Sequence, residues 1–410
     1  MPTLKYRSVL AAAIAGLWIV SAAALAPPAI STTGEAALRV FLRQTVTSNA
    51  VPAVAVVVVN RDQQIFIDAT GKRDVANNAP LTADAIFAIA SMTKPITSLA
   101  VMMLYEEGKI RFDDPVTKYL PEYEGVRVLV LFNDADASFR ARPPARPITI
   151  RHLLTHTSGI GYSFADARLA RIDDGKKTQV EIPLLHDPGD RFTYGPNTAV
   201  LGSIVEKVSG QPLDVFLKTR IFDPVGMKDT FYLVPPDKHD RVVTLHVRRG
   251  TGLAELPIPA MAQSPVRGDG GLYSTAGDYG RLMQVFLNGG RTGGTPLVKD
   301  ATIKLMTTNQ IGRVFVVQQP SANLALAKPF PFGGGKDKFG FGFQIEASPA
   351  QPGLRSVGSY SWGGINNTHF WIDPQKQIAV AVLMQVRPYY DDAAINVLRG
   401  VERLVYQNIR

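Results

Sequence analysis

Ile86-Phe-Ala-Ile-Ala-Ser91-Met-Thr-Lys94-Pro-Ile-Thr97 sets a serine and a lysine three residues apart, just ahead of an apolar pattern. That pattern (Ile96, Leu99, Ala100, Met103, Leu104) has the spacing of one helix face, and Gly108 supplies the stop. The stretch reads as a helix that opens on the Ser–Lys pair. At i, i+3 two side chains share a face, so Lys94 can reach the Ser91 hydroxyl. A serine hydroxyl is a weak nucleophile until a neighbouring base takes its proton. The apolar residues before the pair would hold it in the core, where desolvation favours a neutral amine. A helix N-terminus adds backbone N–H donors beside any oxyanion formed there. Two fixed residues recur by chance, and the plain alternative is a serine N-cap beside a solvated lysine.

Outward from this helix the texture changes twice. On the N-terminal side, residues 36–48 alternate as an amphipathic helix. The β-branched run 51–60 and the segment 64–70 then read as a hairpin in a buried sheet. From Asp113 to about Pro265, helical segments alternate with Pro/Asp/Gly loops and β-branched runs are few. Strand texture returns at 339–347, 353–362, 367–372 and 377–386, and a helix over 392–406 closes the chain. Both ends of the chain therefore supply one sheet, and the middle is a helical insertion. Gly333-Gly-Gly335, set among Pro and Phe residues, reads as a loop near a cleft.

The 410 residues, 46% apolar and 19% charged, are enough to bury a large core. With no cysteine, disulfides, thiolate chemistry and Cys-ligated metals are excluded. The net charge of +9 includes Lys5 and Arg7 and otherwise forms no basic block, which argues against nucleic acid as a partner. Those two cations, an apolar stretch from Val9 to Val20 and small residues to Ala26 have the order of a secretory signal, residues 1–26. The expected location is periplasmic or secreted, with membrane contact only if this segment stays uncleaved.

A Ser/Lys pair needs a further group that carries the proton to the leaving group, and a tyrosine can do this. Tyr194 lies in the turn Arg191-Phe-Thr-Tyr194-Gly-Pro-Asn197, just before an apolar helix. On local sequence alone a satisfied, buried tyrosine explains it as well. His152 and His156 stand at i, i+4, but a zinc helix of that spacing needs Glu where Leu153 sits, so a structural role and no metal are expected. In Ser359-Tyr-Ser-Trp362-Gly363-Gly364-Ile365, glycines at a strand edge let a substrate carbonyl approach the backbone. A backbone N–H there would pair with that of Ser91 as an oxyanion hole.

Taken in order, Ser91-Met-Thr-Lys94, His156-Thr-Ser-Gly159, Tyr194, Gly270-Gly-Leu-Tyr-Ser-Thr-Ala-Gly-Asp278 and Trp362-Gly-Gly364 resemble one superfamily. The chain is similar to the serine β-lactamase/penicillin-binding-protein-like hydrolases, most closely the family VIII carboxylesterases. The similarity covers about residues 36–405, nearly the whole chain after the signal segment. It implies an α/β (α+β) fold, with an antiparallel sheet flanked by helices and a helical domain, and the site between them. One catalytic unit, residues 27–410, would take its α/β part from 27–112 and 266–410 and its helical part from 113–265. By position, Ser91 would be the nucleophile, Lys94 and Tyr194 the general acid/base pair, and the N–H groups of Ser91 and Ile365 the oxyanion donors. No cofactor is implied.

Departures from the family pattern bear on the substrate. Where penicillin-recognising members usually carry Lys-Thr-Gly, this chain has Trp362-Gly363-Gly364. The usual Tyr-x-Asn has become Tyr194-Gly-Pro-Asn197. Arg291-Thr-Gly293 mimics the first triplet but sits in a Gly-rich turn, and Ser361 lacks the context of a lipase elbow. Without that cation the acyl site is more apolar, which favours small neutral esters as substrate. The substrate-binding candidates are Trp362, Gly363, Gly364 and Asn197, with Phe330, Phe332 and Tyr162 as further pocket walls. A β-lactamase or D-amino-acid peptidase would use the same Ser/Lys/Tyr set. A transacylase and a non-catalytic cell-wall sensor also remain open.

Overall fold

Eight of the strands form one antiparallel sheet, and both ends of the chain supply it. The computed structural model describes residues 26–256, 266–348 and 353–410, so nearly all of the secretory-signal segment lies outside the described residues. The elements that frame the site are α1 (Thr32–Thr47), β1 (Ala53–Asn60), β2 (Gln64–Asp74), β3 (Ala79–Pro80) and α2 (Thr93–Glu106). After them come α3 (Asn197–Ser209), α4 (Ala276–Leu287), β4 (Lys338–Phe339) and β5 (Gln344–Ile345). β6 (Tyr360–Gly364), β7 (Thr368–Asp373), β8 (Ile378–Leu383) and α5 (Asp392–Asn408) complete the frame. The strand order is β4-β5-β6-β7-β8-β1-β2-β3. This is the α/β architecture expected, with N- and C-terminal strands meeting where β1 pairs β8 (Val57 opposite Ala381).

β1 is buried along its whole length because the sheet is covered on both faces. Val54, Val56 and Val58 point into one layer with Leu38 and Leu42 of α1 and Val401 and Val405 of α5. Ala55, Val57 and Val59 point into the other, with Leu282 and Phe286 of α4. A continuous β-branched run, and not an alternating one, is what a strand covered on both sides requires. Each fully buried valine contributes roughly 1.5–3 kcal/mol relative to exposure. Gly280 lets α4 lie close on this layer, since an added Cβ would stand 3.1 Å from a Val59 methyl.

The middle of the chain departs from the helical texture read above. It holds the hairpins 128–132/139–142 and 245–249/252–256 as well as helices. The first hairpin lies at the surface, with Val130 and Leu131 exposed, so no burial pattern marks it in the sequence. The middle is not a separate core either: Ile160, Leu201 and Phe216 join Leu99, Phe339 and Phe343 in one cluster.

Candidate active site

Ser91 sits one step ahead of the helix and not in it. Ala90–Met92 form a 3-10 turn, and α2 begins at Thr93, which leaves Pro95 in the first turn where its missing N–H costs nothing. Neither N-cap position draws on a side chain, so Ser91 Oγ is not spent on capping. Ala90 holds a left-handed φ of 45°. Such a residue stores roughly 1–3 kcal/mol of strain and persists only where its surroundings fix it. They do so here. The Ile89 N–H donates to Leu272 O (3.0 Å), the Asn366 and Gln385 amides both donate to Ala88 O (3.1 Å each), and the Tyr279 hydroxyl donates to Met92 O (3.1 Å).

Lys94, 1% exposed, uses all three directions of its amine. Nζ donates to Ser91 Oγ (2.9 Å), to the Asp269 carbonyl (2.7 Å) and to the Tyr162 hydroxyl (3.1 Å). The expected i, i+3 contact is present. The tyrosine hydroxyl on Lys94, however, belongs to Tyr162. Tyr194 offers Lys94 its ring face instead, with the centroid 4.9 Å from Nζ. Among the described residues its hydroxyl has one hydrogen-bond partner, the Trp362 indole N–H at 3.4 Å.

Tyr162 donates in turn to Asp269 Oδ2 (2.5 Å), and Arg267 grips the same carboxylate through Nε and a terminal nitrogen (2.9 Å each). Burial works to raise the Asp269 pKa, but the Lys94 charge and the Arg267 hydrogen bond outweigh it and hold the group below the usual carboxylate range. Burial, with the Asp269 charge, drives the Tyr162 phenol well above its ordinary value, so it keeps its proton.

Asn197 does not line the cavity beside Ser91. Its Nδ2 donates to His156 Nδ1 (2.8 Å) and its Oδ1 accepts from the Ser158 hydroxyl, which ties the His156-Thr-Ser-Gly159 turn to the start of α3. His152 Nδ1 accepts from the Thr149 N–H (3.2 Å), so both imidazoles serve as local acceptors. Burial lowers the pKa of five histidines: His186 and His246, His152 to about 4, His369 to about 3, and His156 far down, helped there by Lys94. The sign follows from linkage. A histidine whose folded pKa is depressed takes up its proton more readily when unfolded, so stability is full above about pH 6.5 and falls as pH drops towards the folded values. Urea midpoints should therefore decline from pH 7 to 4.5, by up to about 1.4 kcal/mol per pH unit for each fully buried imidazole. Equal midpoints at the two ends would contradict these burials.

A cavity of about 160 Å³ opens on Ser91, walled by Tyr162, Phe164, Tyr194, Phe330, Trp362 and Tyr389, with Gly363 and Ile365 at its edge. A second cavity, about 660 Å³, shares Tyr162 and Tyr194 with it and does not include Ser91. Among the described residues no backbone acceptor takes the N–H of Ser91 or of Ile365. Gly364 packs on the Ile89 carbonyl and the Thr368 hydroxyl, with no room for a Cβ, and this brings the end of β6 against the Ser91 turn. The arrangement is a buried amine on a half-buried serine hydroxyl that opens on the cavity, two unspent backbone donors and an aromatic chamber.

Residues 38–402 match the profile of the beta-lactamase family. The chain belongs to that family. Lovastatin esterase of Penicillium rubens is 30% identical over 84% of this chain and 91% of its own length. Esterase EstB of Burkholderia gladioli is 26% identical over 90% of this chain and 95% of its own. The LovD6 mutant of simvastatin synthase from Aspergillus terreus superimposes with a TM-score of 0.79 at 26% identity, covering 92% of this chain and 95% of that one. Two esterases and a synthase are thereby similar to this chain, which supports an enzyme of acyl transfer or hydrolysis.

Within this beta-lactamase-family chain, two contributors to the polar cluster escaped the reading of the sequence. Tyr162 was expected only as a wall, although it follows the His156-Thr-Ser-Gly159 turn by three residues. Asp269 immediately precedes the Gly270-Gly motif and drew no notice. Phe332, the third aromatic expected at the pocket, is 43% exposed and packs at a tilt against Tyr390 instead (centroids 4.5 Å apart). Gly335 lies on the larger cavity, as a loop near a cleft would.

Proposed function

We propose that this protein is an exported serine carboxylesterase that cleaves short-chain neutral esters through an acyl-Ser91 intermediate. The observation that carries the reading is the 2.9 Å contact from Lys94 Nζ to Ser91 Oγ beside a chamber walled by aromatic carbon. Ser91 Oγ attacks the ester carbonyl while its proton passes to Lys94 Nζ. The N–H groups of Ser91 and Ile365 receive the oxyanion. Collapse breaks the ester bond; Tyr194, whose hydroxyl has only the Trp362 indole as a hydrogen-bond partner among the described residues, gives its proton to the leaving alcohol. The proton held on Lys94 then passes to the Tyr194 phenolate, so that both groups return to their starting states. Water then repeats the steps on the acyl-serine, which restores Ser91 and releases the acid. The basic, apolar and small-residue order of residues 1–26 supports the export.

The small size of the chamber on Ser91, about 160 Å³, supports short acyl groups as substrate. Among the described residues no lysine or arginine lines it, so a substrate carboxylate has no partner there, and a β-lactam or D-amino-acid peptide fits less well. The 660 Å³ cavity favours a second reading, in which a bulky alcohol accepts the acyl group in place of water. Initial rates on p-nitrophenyl acetate, p-nitrophenyl decanoate and a chromogenic cephalosporin test the proposal. Fast acetate and slow decanoate and lactam turnover are expected, and lactam turnover as fast as ester turnover would overturn it. Gly364→Ala, by forcing β6 off the Ser91 turn, should lower kcat/KM for the acetate about 100-fold.

A further inference from the structure

Two of the three hydrogen bonds that orient Lys94 end on one residue. Nζ meets the Asp269 carbonyl directly (2.7 Å), and it meets the Tyr162 hydroxyl (3.1 Å), which donates to Oδ2 of the same Asp269 (2.5 Å). Only the third direction, towards Ser91 Oγ, is left over. We propose that Asp269 is a positioning residue that aims the Lys94 amine at Ser91, through its carbonyl on one side and through Tyr162 on the other. This rests on the reading of Ser91 and Lys94 given above.

A primary amine rotates freely about its last carbon–nitrogen bond, so burial alone does not decide where its lone pair points. With two N–H bonds fixed on oxygens of a rigid frame, the third position on Nζ faces Ser91 Oγ, and it is there that the amine must accept the serine proton. The frame is rigid because Arg267 holds both carboxylate oxygens of Asp269, whose side chain is 4% exposed. When the proton moves from Ser91 Oγ to Lys94 Nζ, a positive charge appears beside a carboxylate already in place. No proton passes to Asp269. The Tyr162 proton stays on its bond to Oδ2, which leaves Tyr194 as the hydroxyl free to serve the leaving group. The division of labour parallels a serine–histidine–aspartate triad, where the carboxylate orients the base and steadies its charged form.

The charged and titratable groups around Asp269 are Lys94, Arg267 and Tyr162 in contact, with Tyr232 and His156 further off. Tyr162→Phe keeps the ring and removes the link, and Asp269→Asn keeps the carbonyl and an acceptor but removes the charge. Steady-state rates on p-nitrophenyl acetate across pH 5 to 10, run beside Ser91→Ala, test the proposal. Tyr162→Phe should lower kcat about 10- to 100-fold with KM within about threefold, because the base is misaimed and not lost. Asp269→Asn should lower kcat similarly and also change the pH profile of kcat/KM, because the carboxylate charge beside the site of proton transfer is gone. Both variants within threefold of wild type, with unmoved profiles and Ser91→Ala inactive, would overturn the positioning role alone. Activity in Ser91→Ala would overturn the underlying reading, and the positioning role with it. If Asp269→Asn fails to fold by circular dichroism, the ring-preserving Tyr162→Phe decides the matter.

Discussion

Ser91→Ala is expected to lower turnover of p-nitrophenyl acetate by about four orders of magnitude or more, while the protein folds as before. Ser91 Oγ caps no helix and, among the described residues, its one hydrogen bond comes from Lys94, so its loss removes little from the fold. It removes the hydroxyl on the small cavity that Lys94 meets at 2.9 Å and that the proposed mechanism acylates. The oxyanion donors would remain, and so would a small residual rate over water. The check is the initial rate at saturating ester, with the urea midpoint measured in parallel. A rate within tenfold of wild type would remove Ser91 from the mechanism.

Lys94→Met should cost about three to four orders of magnitude in kcat, because nucleophile and base act as a unit. Methionine keeps most of the stem volume inside α2, whose first three turns are buried from Thr93 to Leu104. What is lost is the group that takes the Ser91 proton, together with the clamp on Tyr162 and the Asp269 carbonyl. KM should change little, since Lys94 stands behind the cavity and is not among the residues that wall it. A single-turnover experiment separates the steps. The p-nitrophenolate burst should disappear in this variant, and a burst of wild-type rate would show that another group deprotonates Ser91.

Much of the site was legible because short spacing carries it. The i, i+3 relation of Ser91 and Lys94 survives even though the serine lies in a 3-10 turn, since one residue of helix offset does not separate two side chains that close. The two-faced valine run of β1 likewise announces a covered strand, and the glycines after Trp362 announce a close approach.

Other assignments needed the folded chain. The family resemblance paired Tyr194 with Lys94 as general acid and base, while the tyrosine hydroxyl that Lys94 touches is that of Tyr162, 68 residues away in sequence. Asn197 had the right type near the right tyrosine, but its amide was already committed to His156 and Ser158.

By itself the sequence determined the elements whose cause is local: the Ser91 turn and its helix, the buried strand run, the terminal helix, and the order of motifs that marks the family. Only the tertiary structure decided which tyrosine hydroxyl meets Lys94, that Asp269 stands behind both, and which aromatic residues wall the cavity on Ser91. The reason is physical. Periodicity and spacing fix which face a side chain shares with its near neighbours, whereas the partner of a buried polar group is whichever long-range loop the packed core brings within 3 Å.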